Sequence, residues 1–171
     1  MKDKFDRPAV CAEIGVQFGH YSAEILEICK PSQLILVDPW KSLNWMYVGV
    51  QERFKKEIKK SKVEIIRKMS HLAAKIFEDE TFDWVYIDAK HDKPNVARDL
   101  NSWAPKVEPG GWILGHDYME VKDAQGVEYG VIEAVADFVA KNPQYKFAGI
   151  SGEAEHCSFG LWKEPDEGEA A

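Results

Sequence analysis

Short apolar runs alternate with amphipathic stretches along the whole chain. The first run spans 9–14 and precedes a helical segment, about 21–29, in which Ile25, Leu26 and Ile28 share one face. A second run at 34–37 leads through an aromatic loop into a lysine-rich helical stretch, about 50–60. A third at 63–66 is followed by a short helix around 71–77. The fourth, 82–87, leads to a helix in which Val96, Leu100, Trp103 and Val107 recur at helical spacing. Pro109, Gly110 and Gly111 predict a turn, and 112–114 a fifth strand. Val131, Ile132, Val135, Phe138 and Val139 then mark one face of a long helix, and two last strands fall near 146–150 and 157–162.

Continuous apolar runs, rather than alternating ones, are what strands buried on both faces leave in a sequence. The pattern predicts an α/β chain with a doubly wound seven-stranded sheet, mostly parallel. The last two strands lie too close together for a crossover helix, so they are expected to form an antiparallel hairpin at one edge. These elements nearly exhaust a single domain over 1–163. The stretch 164–171, acidic with Gly and Ala, is expected to be a disordered tail.

Composition narrows the classes. A chain of 171 residues that is 45% hydrophobic suits one compact domain. Its 22 basic and 29 acidic residues give −7, with Glu164, Asp166, Glu167 and Glu169 in the tail. The remaining mild acidity argues against a duplex nucleic-acid partner. Cys11, Cys29 and Cys157 form no CxxC, which argues against a disulfide framework or a cysteine zinc site and for a reducing, cytoplasmic setting. No apolar run approaches the ~20 residues of a bilayer crossing, so no membrane partner is expected. The one basic concentration, Arg53, Lys55, Lys56, Lys59, Lys60, Lys62, Arg67 and Lys68, is interspersed with Glu52 and Glu57. It is a solvated helix face or a surface that attracts an anionic acceptor such as a phosphorylated sugar or RNA.

In open α/β sheets ligands bind beyond the carboxyl ends of the strands, near the point where strand order reverses. Three marks fall there. Glu13-Ile14-Gly15-Val16-Gln17-Phe18-Gly19 follows the first strand, with two glycines four apart that permit a tight turn. Asp38, ending the second strand, is placed to accept hydrogen bonds from ribose hydroxyls. Asp88 leaves the fourth strand in Ile87-Asp88-Ala89-Lys90-His91. The GxGxxG of dinucleotide sites is absent, which disfavours an NAD-linked enzyme.

Together with Pro109-Gly110-Gly111-Trp112-Ile113-Leu114-Gly115-His116-Asp117-Tyr118 and Gly130-Val131-Ile132-Glu133-Ala134-Val135, these segments resemble the class I S-adenosylmethionine-dependent methyltransferases, in particular their small-molecule O-methyltransferase branch. The resemblance runs from Glu13 to Trp162. It implies a Rossmann-like fold, S-adenosylmethionine as cofactor, and transfer of a methyl group to a hydroxyl of a small-molecule acceptor. By the same resemblance Glu13, Gly15, Gln17 and Gly19 would hold the methionine end of the cofactor, Asp38 the ribose, Trp40 the adenine face and Ser70 the adenine edge, with Asp88 alongside. In metal-dependent members the acid ending strand 4 binds a divalent cation and the residue three positions on is a general base; here these are Asp88 and His91. Two further ligands would be His116 and Asp117. His116 stands where an acid is usual, which weakens the case for Mg²⁺ and favours Mn²⁺, another transition ion, or no metal. The nucleic-acid N-methylating signature after strand 4 is missing, since Ala89-Lys90-His91 follows Asp88. Two alternatives stay open: a noncatalytic cofactor-binding module, and a methyltransferase acting on another acceptor such as RNA. So small a core leaves few residues for a substrate cap, which implies an open acceptor pocket or one completed by a second subunit in a homodimer.

Overall fold

The computed structural model describes residues 8–122, 126, 128–152 and 156–165. Seven strands, β1 (Val10–Ile14), β2 (Gln33–Val37), β3 (Val63–Ile66), β4 (Phe82–Ile87), β5 (Val107–Gly115), β6 (Tyr145–Ile150) and β7 (Phe159–Lys163), form one sheet in the order β3-β2-β1-β4-β5-β7-β6. β3, β2, β1, β4 and β5 are parallel, and β7 runs antiparallel between β5 and β6. The expected architecture is therefore present, including the antiparallel C-terminal pair. The connections are α1 (His20–Ile28), α2 (Asn44–Arg53), α3 (Lys55–Lys59), α4 (Ser70–Ala73) with a 3-10 turn (Ala74–Ile76), α5 (Lys93–Trp103) and α6 (Val131–Lys141).

Strand side chains alternate between two cores. Ala12, Ile14, Ile35 and Val37 join Val96, Leu100, Trp103, Val131, Val135 and Phe138 beneath α5 and α6. Cys11, Leu34 and Leu36 face the other way and pack with Ile25, Val50 and Phe54 beneath α1 and α2. This two-residue period on strands buried from both sides explains why the runs in the sequence are apolar without interruption.

Four expectations are corrected. The helical stripe stops at Trp103; Val107, expected on the helix, is the first residue of β5, because Pro105 in the intervening 3-10 turn (Ala104–Lys106) carries no amide hydrogen for a continuing helix. Pro109-Gly110-Gly111 is not a turn before a strand but a bulge within β5. Phe82 pairs with Val107 and Trp84 with Trp112, so the residues between Val107 and Trp112 are accommodated opposite Asp83 alone. The lysine-rich helix is two helices that meet at Phe54, a buried residue whose φ of −102° and ψ of 17° depart from helical values. The last residues of the expected tail, 166–171, lie outside the described residues. Glu164, assigned to that tail, belongs to the folded body: its amide bonds the Gln144 carbonyl at 2.8 Å and its carboxylate pairs with Lys146 at 3.2 Å.

Strand order reverses between β1 and β4, so their carboxyl ends diverge into separate loops there. Gly15 stands at that fork with φ 97°, and a Cβ built on it would lie 1.9 Å from the Asp88 carbonyl oxygen. The Asp88 amide bonds the Ile14 carbonyl at 2.7 Å and the Gly15 amide bonds that of Val37 at 2.8 Å, so three strand ends are tied at this point. Gly15→Ala is expected to cost about 3 kcal/mol or more in chemical denaturation, since it combines a disfavoured positive φ with a backbone overlap. A loss below about 1 kcal/mol would contradict the close approach described.

Candidate functional site

A cleft of ≈ 490 Å³ opens at the carboxyl ends of β1, β2, β3 and β4. It collects Glu13, Gly15, Gln17, Asp38, Ser70, Asp88 and His91, seven positions that the sequence marked from four separate loops. Two of the residues marked for the cofactor are absent from its lining. Trp40 is 1% exposed, packs into the α1–α2 core and donates its indole N–H to the Gln17 carbonyl at 2.9 Å. It supports the loop that the cleft uses rather than walling the cleft. Gly19 begins α1 with φ 71°, and its Cβ position would meet the Phe54 ring at 2.8 Å, so it is a close-packing position behind the loop.

Asp38 is a latch as well as a lining residue. Oδ2 accepts the amides of Val16 and Gln17 at 3.1 and 3.0 Å, and Oδ1 accepts that of Trp40 at 2.7 Å. A carboxylate offers about four lone-pair positions. Three are filled by backbone amides, and the remaining one, on Oδ1, is available to one ligand hydroxyl. Gln17 itself has φ 51°, a left-handed geometry that the Asp38 bond and the Trp40 indole hold from both ends.

Glu13 is 2% exposed and accepts a short hydrogen bond from the Ser22 hydroxyl of α1. Burial pushes its carboxyl up to about 8; the Ser22 bond opposes this, and the charges of Asp88 and Asp38 add to it. At neutral pH this acid is largely protonated, poised to ionise when a cationic group arrives. On the far side Ser70 accepts the Trp103 indole N–H at 2.9 Å and hydrogen-bonds the buried Asp99, whose carboxyl burial also raises. Asn95, Arg98 and Asp99 of α5, with His71, complete this wall. These four were not anticipated. Asp99 falls three residues after Val96 and four before Trp103, within the buried stripe, and an acid in such a stripe was the available signal.

The second feature is a group of acids and imidazoles at the ends of β4 and β5. His91 Nε2 lies 3.2 Å from Asp88 Oδ1 and 3.3 Å from Asp117 Oδ2. His116 Nδ1 lies 3.7 Å from Asp88 Oδ1 and 3.3 Å from Asp117 Oδ1. Burial disfavours the charged His91 ring, but its hydrogen bond to Asp88 and the charges of Asp117, Asp88 and Asp92 outweigh this and raise its pKa. Asp117 is 5% exposed with φ 54°, so its backbone is held in a strained conformation that aims its carboxylate at the histidines. His156, from the β6–β7 connection, bonds Asp117 Oδ1 at 2.6 Å and stacks on His116 with ring planes 6° apart. Sequence reasoning missed His156; a single histidine in an acidic loop carried no spacing signal. The Tyr129 ring lies 4.7 Å from that of His91.

Asp88, His116 and Asp117 each present one donor atom, and these atoms lie within 4.8 Å of one another. Two carboxylates and one imidazole suit a divalent ion of intermediate softness such as Mn²⁺ better than Mg²⁺. The residues present therefore fit a cation.

The family model described as a methyltransferase domain matches residues 12–118. The chain belongs to this methyltransferase family. No curated protein sequence matches it. In structure it is similar to an O-methyltransferase family protein from Burkholderia thailandensis, with a TM-score of 0.71 and 16% identity over 94% of this chain and 52% of that one. It is also similar to the B. subtilis M1A22 tRNA methyltransferase (TM-score 0.65, 12% identity, 93% and 61% covered). A third is a putative methylase from Haemophilus influenzae (TM-score 0.63, 11% identity, 94% and 89% covered). The chain thus spans about half the length of the Burkholderia protein. At these identities the likeness is one of fold. Among the described residues no helix is long and apolar enough to cross a membrane.

Because Glu13 holds its proton more tightly folded than unfolded, it stabilises the fold fully in acid. That contribution is lost as pH rises from about 4.5 towards about 8. Glu13→Gln is therefore expected to flatten this decline, melting above the wild type at pH 8 in ligand-free scanning calorimetry. Parallel pH profiles for the two proteins would contradict the assignment.

Proposed function

We propose that this domain transfers a methyl group from S-adenosylmethionine to a hydroxyl of a small-molecule acceptor. The observation that carries the reading is the single cleft in which Glu13, Gln17, Asp38, Ser70, Asp88 and His91 converge from four loops. Glu13 faces the cofactor's ammonium, Gln17 and its neighbouring amides the methionine carboxylate, and Asp38 Oδ1 one ribose hydroxyl. Ser70 and the α5 wall take the adenine.

The reaction needs little covalent chemistry from the protein. Bound in the cleft, S-adenosylmethionine would supply an electrophilic methyl group for the acceptor oxygen, the C–S electron pair remaining on sulfur as S-adenosylhomocysteine forms. The acceptor's proton passes to His91 Nδ1, while Nε2–H, 3.2 Å from Asp88 Oδ1 and 3.3 Å from Asp117 Oδ2, lets those carboxylates orient the ring and stabilise it once charged. A divalent ion held by Asp88, His116 and Asp117 would supply Lewis-acid polarisation of the acceptor hydroxyl. Phe18 and Tyr21 line the same cleft, and Trp45, 63% exposed, stands 5.7 Å from Phe18. These rings offer a surface for an acceptor with an apolar or planar part.

Calorimetry with S-adenosylhomocysteine is expected to give micromolar or tighter binding whose affinity rises towards pH 8, by up to about tenfold per pH unit, as the ammonium draws a proton off Glu13. Glu13→Gln removes that pH dependence; absence of binding at saturating ligand would sink the reading. With an acceptor found by panel screening, His91→Gln is expected to lower kcat by about 10²–10⁴-fold while leaving S-adenosylhomocysteine affinity nearly unchanged. Full turnover in the variant removes His91 from the role of base. Mn²⁺ restored to chelator-treated protein is expected to raise that kcat, and equal rates with and without chelator would dispose of the metal.

A further inference from the structure

We propose that a second cavity, at the opposite end of the sheet, binds a small amphipathic anion, and that Phe54 transmits its occupation to the Gly19 loop. This inference is independent of the reaction assigned to the cleft. The cavity measures ≈ 510 Å³, within the usual ligand-site range of about 300–1,000 Å³. Leu26, Pro31 and Phe54 supply an apolar lining, and Lys30, Arg53, Lys60 and Lys62 stand around it. Lys30 and Pro31 precede β2, and Lys60 and Lys62 precede β3, which puts the cavity at the amino ends of strands whose carboxyl ends form the cleft.

Charge selects the ligand. Among the described residues none of these four cations forms an ion pair, whereas nearby Lys55 is paired with Glu52 at 3.0 Å. Glu27 and Glu57 also line the cavity, leaving it with two more basic than acidic residues in a chain of net charge −7. An apolar lining under unpaired cations fits a molecule with an aromatic or aliphatic body and one sulfonate, phosphate or carboxylate head.

Phe54 belongs to both ends of the molecule. It lines the cavity, is 3% exposed, and its Cε2 and Cζ lie 2.8 and 3.4 Å from where a Cβ of Gly19 would be. Gly19 closes the Val16–Gly19 turn by donating its N–H to the Val16 carbonyl at 2.8 Å, and its own carbonyl accepts the amide of Ala23, itself a lining residue of the cavity. A ring displaced by a ligand has no free space on the Gly19 side, so the Val16–Gly19 turn registers the displacement.

The test is titration of the ¹⁵N-labelled full chain with 8-anilinonaphthalene-1-sulfonate, followed by amide shifts. Saturable shifts are expected at Leu26 and Phe54 and, in step with them, at Gly19. Arg53→Glu with Lys60→Glu, both at exposed positions, is expected to weaken binding by about tenfold or more, and Glu57→Gln to tighten it. Lys62→Glu alone serves if the double variant fails to fold by circular dichroism, and is expected to weaken binding in the same direction. Shifts confined to Gln17, Asp38 and His91, or unchanged affinity in the charge-reversed variants, overturn the site. Shifts at Leu26 and Phe54 with Gly19 unmoved overturn the transmission. Sedimentation with phosphatidylglycerol vesicles is run in parallel: protein left in the supernatant supports a soluble ligand, and cosedimentation without binding of the free probe overturns it in favour of a lipid surface.

Discussion

The approach of the Gly15 backbone to the Asp88 carbonyl is the constraint on which the rest of the site depends. A parallel sheet that reverses its strand order must open a fork, and a fork is an empty crevice unless its two sides are tied at the root. Here the tie is made of backbone, with the Asp88 amide on the Ile14 carbonyl and the Gly15 amide on that of Val37. Only a residue without a side chain leaves room for it. Glu13 and Gln17 are carried on one tine and Asp88 and His91 on the other, so their separation is set at the root rather than by contacts between the side chains themselves.

From that root outward, polar side chains serve the backbone before they serve a ligand. Asp38 holds three amides and keeps one lone pair in reserve. Trp40 gives its only side-chain donor to the Gln17 carbonyl. Such a site is organised in advance of binding, which lowers the ordering cost when a ligand arrives. The acids of the cleft and of the neighbouring cluster are kept from repelling one another by different means: Glu13 by holding a proton, Asp38 by backbone amides, and Asp88 and Asp117 by imidazoles.

Much of this was legible in the chain. Strand runs at 34–37, 63–66 and 82–87 are apolar because both faces are covered, and the acids that interrupt the pattern at Glu13, Asp38 and Asp88 stand at strand ends, where a binding cleft forms. What was not legible depended on tertiary contact. Trp40 looked like a cofactor wall because an aromatic beside a ribose-binding acid has two uses, and only packing against Val50 and Phe54 decides between them. Pro109-Gly110-Gly111 looked like a turn because a bulge and a turn use the same residues; only the partner strand distinguishes them. His156 left no trace, since its role comes from a loop folding back over 39 residues to Asp117.

That last contact has a consequence for the order of events in folding. His116 and Asp117 follow β5 directly, whereas His156 is brought to them by β7, the last strand, which lies inside the sheet between β5 and β6. Pairings of this kind form late, because the intervening loop must close before any contact compensates for it. All the residues that line the cleft precede position 100, whereas the acid and histidine cluster draws on positions from 88 to 156. The cleft and the cluster beside it thus depend on different stretches of the same chain, joined at Asp88 and His91.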